Sequence, residues 1–279
     1  MSAALSISVG LYITGCFHED GLADSADGLG GGWSKSQVLK IMTDSRVGTY
    51  GCAALSLFLF TKLQLLGTLG SSNWVFDFQN GGSSGTGPAI LVAQTLSRLS
   101  APYLIRTRDY VAEVGPKSPF YRFMVEAKHI VSWPRVLFAS MHCFALSSIL
   151  YGQLFSVVLI LAVLTVAHLC GNKGDYLLGG VMGDFLGGTI CICEVVVLVL
   201  IATRDHIMDT IQVAAGIFES STSDDLQSMV VELYASDRLR PIFHLSCIMC
   251  ALKVWCYFVG APDMFDREVN KKESGEKGD

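Results

Sequence analysis

Gly179–Ala202 reads GGVMGDFLGGTICICEVVVLVLIA, and this stretch decides the fold. It is long enough to cross a bilayer as a helix, which takes ~20 apolar residues. Asp184 and Glu194 are its only carboxylates. Gly179, Gly183 and Gly187 recur every four residues. That is the small-xxx-small pattern by which membrane helices approach closely. The segment therefore reads as a packed helix inside a membrane bundle. Asp184 lies about a turn inside it, and an intramembrane carboxylate is a functional-site candidate. Glu194 is deeper and reads equally as a packed acid.

Working outward, the rest of the 279-residue chain agrees: 51% of residues are hydrophobic and 16% charged. Soluble domains carry about 25% charged residues. The mean hydropathy is +0.46. Further apolar runs cover Ser2–Phe17, Gly51–Gly70, Pro88–Ile105, Val136–Leu150, Gln153–Cys170 and Ile242–Gly260. The expected fold is all-α, a polytopic helical membrane bundle of about seven passes. The first, fourth and fifth runs sit at or below the spanning limit near ~17 residues. Val136–Cys170 is therefore expected as a tilted or re-entrant hairpin. The domain is read as one unit over residues 1–262, with loop insertions at 71–87 and 203–241. Residues 263–279 form a polar tail with the composition of disorder. A net charge of -5 argues against nucleic acid, which wants a basic face. Nine cysteines at irregular spacing, nearly all in apolar runs, read as packing rather than as disulfides.

The charges set the topology. Lys35, Lys40 and Arg46 follow the first run, and the next loop has no basic residue. Arg98, Arg106, Arg108, Lys117, Arg122, Lys128 and Arg135 then cluster, and the turn at Tyr151–Gly152 has none. Under the positive-inside rule this alternation puts His18–Gly51 and Gly171–Asp184 on the same membrane face.

That face carries HEDGLADSADG, His18–Gly28. Asp20, Asp24 and Asp27 fall within about 60° of arc on a helix, so three carboxylates share one side. Hard oxygen donors of this kind suit Mg²⁺, which takes one or two carboxylates plus phosphate oxygens. Gly21 and Gly28 would let a phosphate approach the backbone. The alternative is a solvated acidic helix end. Gly30–Gly32 is expected to end the helix. Met42–Gly51, MTDSRVGTYG, adds Asp44 as a fourth carboxylate, Arg46 as a phosphate partner, and Gly48. It reads alternatively as an amphipathic surface helix ending at Gly48. Lys62, inside an apolar run, is expected to snorkel or pair. His18 opens the motif as a base or phosphate ligand. His142 and His168 read as satisfied core groups, and His206 as a loop residue.

These blocks resemble one family. HEDGLADSADG is similar to the H-x-D-G-L-x-D-x-x-D-G motif of cobalamin synthase, or adenosylcobinamide-GDP ribazoletransferase. MTDSRVGTYG resembles its I-M-x-D-S-R-x-G-x-x-G block. TLSRLSAPYLIRTRDYV resembles the region that includes Arg98, and GGVMGDFLGG its G-G-x-T-G-D-x-L-G-A block. The order also agrees, over roughly Ser2–Leu200. Met182 stands where the family usually has Thr, and Gly188 where it usually has Ala. The family carries a further stretch ahead of the position of Ser2, which implies an incomplete N-terminus here.

The resemblance implies a step of vitamin B12 assembly. The 3'-hydroxyl of α-ribazole, or of its 5'-phosphate, attacks adenosylcobinamide-GDP at the phosphorus next to the cobinamide arm, and GMP leaves. It implies Mg²⁺ as cofactor, with Asp20, Asp24 and Asp44 near the metal and Asp184 closing the site. Asp27 or His18 would be the base. Arg46 and Arg98 would hold phosphate, beside Gly21, Gly28, Gly48 and Gly183. The expected surroundings are a lipid bilayer, by family default a bacterial inner membrane, or an organellar one for a eukaryotic chain. A homo-oligomer is compatible with this reading. Two other classes compete. A CDP-alcohol phosphatidyltransferase-like enzyme wants D-G-x-x-A-R, which Gly21-Leu22-Ala23 does not continue. A divalent-cation transporter wants carboxylates near the bilayer midplane.

Overall fold

The computed structural model describes residues 2–69, 85–111 and 130–219. The expected pass Ile242–Gly260, the charged tail and nearly all of the 71–87 insertion lie outside them. Among the described residues the regular structure is helical, apart from one isolated bridge between Tyr110 and Val181.

The chain opens with α1 (Ser2–Thr14). The expected pass to Phe17 is cut short, because Gly15 and Cys16 both take the left-handed conformation. Cys16 has φ 59°, a costly region for a residue with a Cβ. The turn lets α2 (Phe17–Gly31) restart against the bundle. Its end at Gly31–Gly32 agrees with the glycine run. Then come α3 (Lys35–Met42), capped by the Ser34 hydroxyl accepting from Gln37 N–H, and α4 (Thr49–Thr68). The run Pro88–Ile105 is not one helix. It divides at Arg98–Leu99 into α5 (Thr86–Ser97) and α6 (Ser100–Thr107).

The expected hairpin is present as α7 (Trp133–Tyr151) and α8 (Gln153–Leu178). Gly152 joins them at φ 86°, where a side chain would be strained. α8 continues beyond Cys170 and stops at Gly179, whose φ of 77° makes a left-handed helix cap. The decisive stretch forms α9 (Gly183–Ala202). The segment after it, expected as a loop, begins as helix α10 (Arg204–Glu219), and His206 lies on that helix.

α4, α8 and α9 are long and apolar enough to cross a membrane. They are not equivalent. The α9 span is 78% buried inside the protein, against 28% for α4 and 33% for α8. α9 is thus the axis of the bundle, in contact with α2, α4, α5, α6 and α8. Its Cys193, Val197 and Leu198 join a core with Val92, Leu96, Leu159 and Val163. The outer helices turn Leu137, Phe138, Met141, Leu154 and Leu161 outward. Apolar side chains outside and charged pairs inside suit a lipid surround.

Candidate active site

Two glycine-lined helices make the site. α2 crosses α9 so closely that a Cβ on Gly21 would lie 2.5 Å from the Asp184 carbonyl oxygen. A Cβ on Gly187 would lie 3.3 Å from His18 Cα. The first acidic motif and Asp184, far apart in sequence, are thereby brought against each other. The start of α9 is held by a short backbone pairing: Val181 N–H donates to Asp109 O and Val111 N–H to Val181 O, both at 2.8 Å. Lys35 closes over the turn, with Nζ 2.5 Å from the position of a Gly179 Cβ.

Asp20 is exposed, Asp24 half-buried and Asp27 buried, so the expected acidic face runs from solvent into the protein. Burial pushes the Asp24 carboxyl up to about 7, and the charges of Asp20, Asp184 and Asp27 add to that shift. Negative charge is crowded there in a way that a cation would relieve. Among the described residues, no group of three His, Cys, Asp or Glu side chains is close enough to enclose a metal. The carboxylates gathered here are hard oxygen donors, the kind Mg²⁺ takes alongside phosphate oxygens.

Asp44 does not join this group. It binds Arg46 through Nε at 3.0 Å and Nη2 at 2.6 Å, in the connection between α3 and α4. The Arg46 hydrogen bond holds the Asp44 carboxyl down at about 2. Arg46 itself is largely exposed. Its pairing is thus local, within the connection that leads into α4.

Asp27 has a definite job. Its carboxylate accepts from Gly48 N–H at 2.6 Å and Gly51 N–H at 2.9 Å, the unpaired donors at the start of α4. A Cβ at either glycine would strike that carboxylate. Gly28 faces the Met42 side chain just as closely. At Gly21, Gly28 and Gly48 the place of a Cβ is taken by Asp184, Met42 and Asp27. These glycines let helices meet.

His18 is half-buried. Burial, then the charge of Arg98, holds its imidazole below the usual value, with Glu19 opposing. Arg98 caps α5, and its Nη1 donates to Gln94 O at 2.6 Å and Gln94 Oε1 at 2.5 Å. Gln94 Nε2 donates in turn to Glu194 Oε1 at 2.5 Å. Lys62 pairs with that same oxygen at 2.7 Å. Lys62 therefore pairs and does not snorkel, and Glu194 is its partner.

Glu19 and Ser25 on α2, and Gln94 on α5, did not stand out in the sequence. Glu19 Oε2 and Ser25 Oγ are buried without a hydrogen-bond partner. Motif position, one residue before Asp20, was the available signal for Glu19. His142 and His168 are exposed, not core. His168 meets Tyr103 and Arg108, which also bonds Asn172 and pairs with Asp175, tying α6 to α8.

The family described as cobalamin-5-phosphate synthase matches residues 1–202. A Shewanella piezotolerans protein named adenosylcobinamide-GDP ribazoletransferase is 39% identical over 191 residues, 68% of each chain. One of the same name from Shewanella oneidensis is 36% identical over 198 residues, 70% of this chain and 69% of the relative. A third, from Ralstonia pickettii, is 32% identical over 199 residues, 71% and 70% of the two chains. No solved structure matches.

Proposed function

The chain belongs to the cobalamin-5-phosphate synthase family, and on that premise we propose that it is an adenosylcobinamide-GDP ribazoletransferase. The reaction joins the 3'-oxygen of α-ribazole, or of its 5'-phosphate, to the phosphorus beside the cobinamide arm. The bond from that phosphorus to the GMP oxygen breaks, and GMP leaves with the electron pair. The hydroxyl proton passes to a base.

The observation that carries this reading is the α2–α9 crossing, which sets Asp184 beside the carboxylates of the first motif. Asp24, with Asp20 or Asp184, would hold Mg²⁺ together with phosphate oxygens. When bound, it would neutralise the diphosphate and the charge developing on the displaced oxygen. Arg98 supplies phosphate contacts from the bundle side and the exposed Arg46 from the surface side. His18, kept neutral by burial and by Arg98, is assigned as the base. Asp27 has two lone pairs engaged by α4 and is assigned to positioning. The substrate corrinoid is met at a bilayer surface, in a bacterial inner membrane by the family's habit.

Membranes carrying the chain, given adenosylcobinamide-GDP, α-ribazole and Mg²⁺, should release GMP. A folded sample that releases none, beside a Shewanella relative that does, sinks the proposal. Release with Mg²⁺ fully chelated would remove the metal from it.

A further inference from the structure

Four helices bury charge away from the acidic face. Lys62 on α4 and Glu194 on α9 are 7% and 5% exposed at their side chains. Both lie well inside helices that are candidate membrane spans. Phe58 packs under the ammonium, with Nζ 5.4 Å from the ring centre. Glu19 of α2 reaches the same region: Cys191 lies within electrostatic range of Glu19, Glu194, Lys62 and Arg98 together.

A bare ion pair would only tie α4 to α9. This one continues. Glu194 Oε1 takes Lys62 Nζ and Gln94 Nε2 at once, so the acid fixes which way the Gln94 amide points. With its nitrogen committed to Glu194, the amide must turn its oxygen toward Arg98. Arg98 Nη1 is then spent on two Gln94 oxygens. The guanidinium has five donors in a rigid fork. Anchoring one end of it fixes the angle of the other edge, and the Arg98 charge is felt at His18. Removing the acid would free the amide to rotate, and the guanidinium with it.

We propose that Lys62, Glu194 and Gln94 form a positioning relay that aims the Arg98 guanidinium at the substrate diphosphate. The relay rests on the assignment of Arg98 to phosphate. It is a polar path through an apolar bundle. Such paths are costly where incomplete, which is why each member here has a partner. None of the three need touch substrate.

The test reads KM for adenosylcobinamide-GDP against kcat, KM for α-ribazole and thermal stability. Gln94→Met leaves the ion pair and the bond from Arg98 Nη1 to Gln94 O, but cuts the side-chain link to Arg98. It should raise the KM for adenosylcobinamide-GDP about tenfold, the worth of one charge-assisted hydrogen bond, with the other readouts nearly unmoved. Lys62→Met with Glu194→Met removes the pair without stranding a charge, and should raise that KM equally. Adding Gln94→Met to this double variant should change nothing further, since one path has been cut twice. Lys62→Met with Glu194→Gln keeps an acceptor oxygen for Gln94 and should restore KM. A purely structural tie predicts the reverse: equal loss in both double variants, seen in melting temperature and not in KM. That outcome overturns the relay. Arg98→Ala separates the premise. If it leaves KM for adenosylcobinamide-GDP unchanged, the phosphate assignment fails and the relay with it. If Arg98→Ala raises KM while Gln94→Met does not, the relay alone fails.

Discussion

Two groups of charge sit on the same helix, α9, and they are built on opposite plans. Near its start, Asp184 faces Asp24 and Asp20 across the α2 crossing, and like charges add to the shift that lifts Asp24 to about 7. Further along, Glu194 shares one oxygen between Lys62 and Gln94. The second group is neutralised from within. In the first, Asp24 is half-buried among like charges, which makes its own charge expensive. A protein that can bury a matched pair so well has the means to neutralise Asp24 too. On the proposed function the crossing takes a charge from outside, whereas the matched group serves geometry.

Asp24→Asn breaks that comparison most directly and carries the largest expected effect. If the crowded charge exists to hold a cation and phosphate, GMP release should fall roughly a thousandfold, as when a transition-state partner is removed. Stability should move the other way. The folded value of Asp24, about 7, lies above its ordinary 3.8. Protonation of Asp24 therefore favours the folded state. That contribution is fully present below 3.8 and is lost as pH rises through about 7. Without divalent cations the melting temperature should fall over this window, and Asp24→Asn should flatten the slope. Mg²⁺ should flatten it in the parent protein. A slope identical in parent and variant would show that the crossing is not short of positive charge.

Asp27 sharpens the contrast from within the acidic motif, since its charge is matched by backbone donors at the head of α4. Asp27→Ala should cost about 2 kcal/mol of stability, the loss of a buried cap and its charge-assisted bonds. Asp27→Asn keeps an acceptor and should cost less. Chemical denaturation in detergent would check both. If Asp27→Ala left stability intact and abolished only GMP release, Asp27 would belong with Asp24 after all.

Much of this division was legible beforehand. Helical period alone puts Asp20, Asp24 and Asp27 on one face, and charge alternation alone puts Asp184 on the same side of the membrane. The all-helical bundle, the hairpin about Gly152 and the close packing of Gly179–Ala202 were equally plain, because each follows from hydropathy or spacing along one segment. What escaped depends on pairs of segments. Asp27 caps a helix that begins only after α3, and Gln94 meets Glu194 100 residues away. A glutamine in an apolar run carries no sign of its partner. The break at Cys16 had no warning either, since a non-glycine residue at positive φ is chosen by packing and not by composition. The Asp44 pairing is the opposite case, since its partner Arg46 is two residues away.

The smallest expected effect tests how the close approach of α2 and α9 sets the spacing of their carboxylates. At Gly21 the neighbour is Asp184 backbone, 2.5 Å from a Cβ, so Gly21→Ala must push the helices apart. At Gly188 a Cβ would stand 3.3 Å from Ser25 Oγ and 3.4 Å from Gly21 O and Leu22 Cα. The serine hydroxyl has no bonded partner and can turn away; the backbone must yield only a few tenths of an ångström. Against that small strain stands the helix preference for Ala over Gly, about 1 kcal/mol. Gly188→Ala should therefore stabilise by less than ~1 kcal/mol and leave GMP release unchanged, while Gly21→Ala should lose both stability and release. Equal damage at the two positions would mean that the whole crossing, and not the Gly21–Asp184 contact, sets the spacing of the carboxylates.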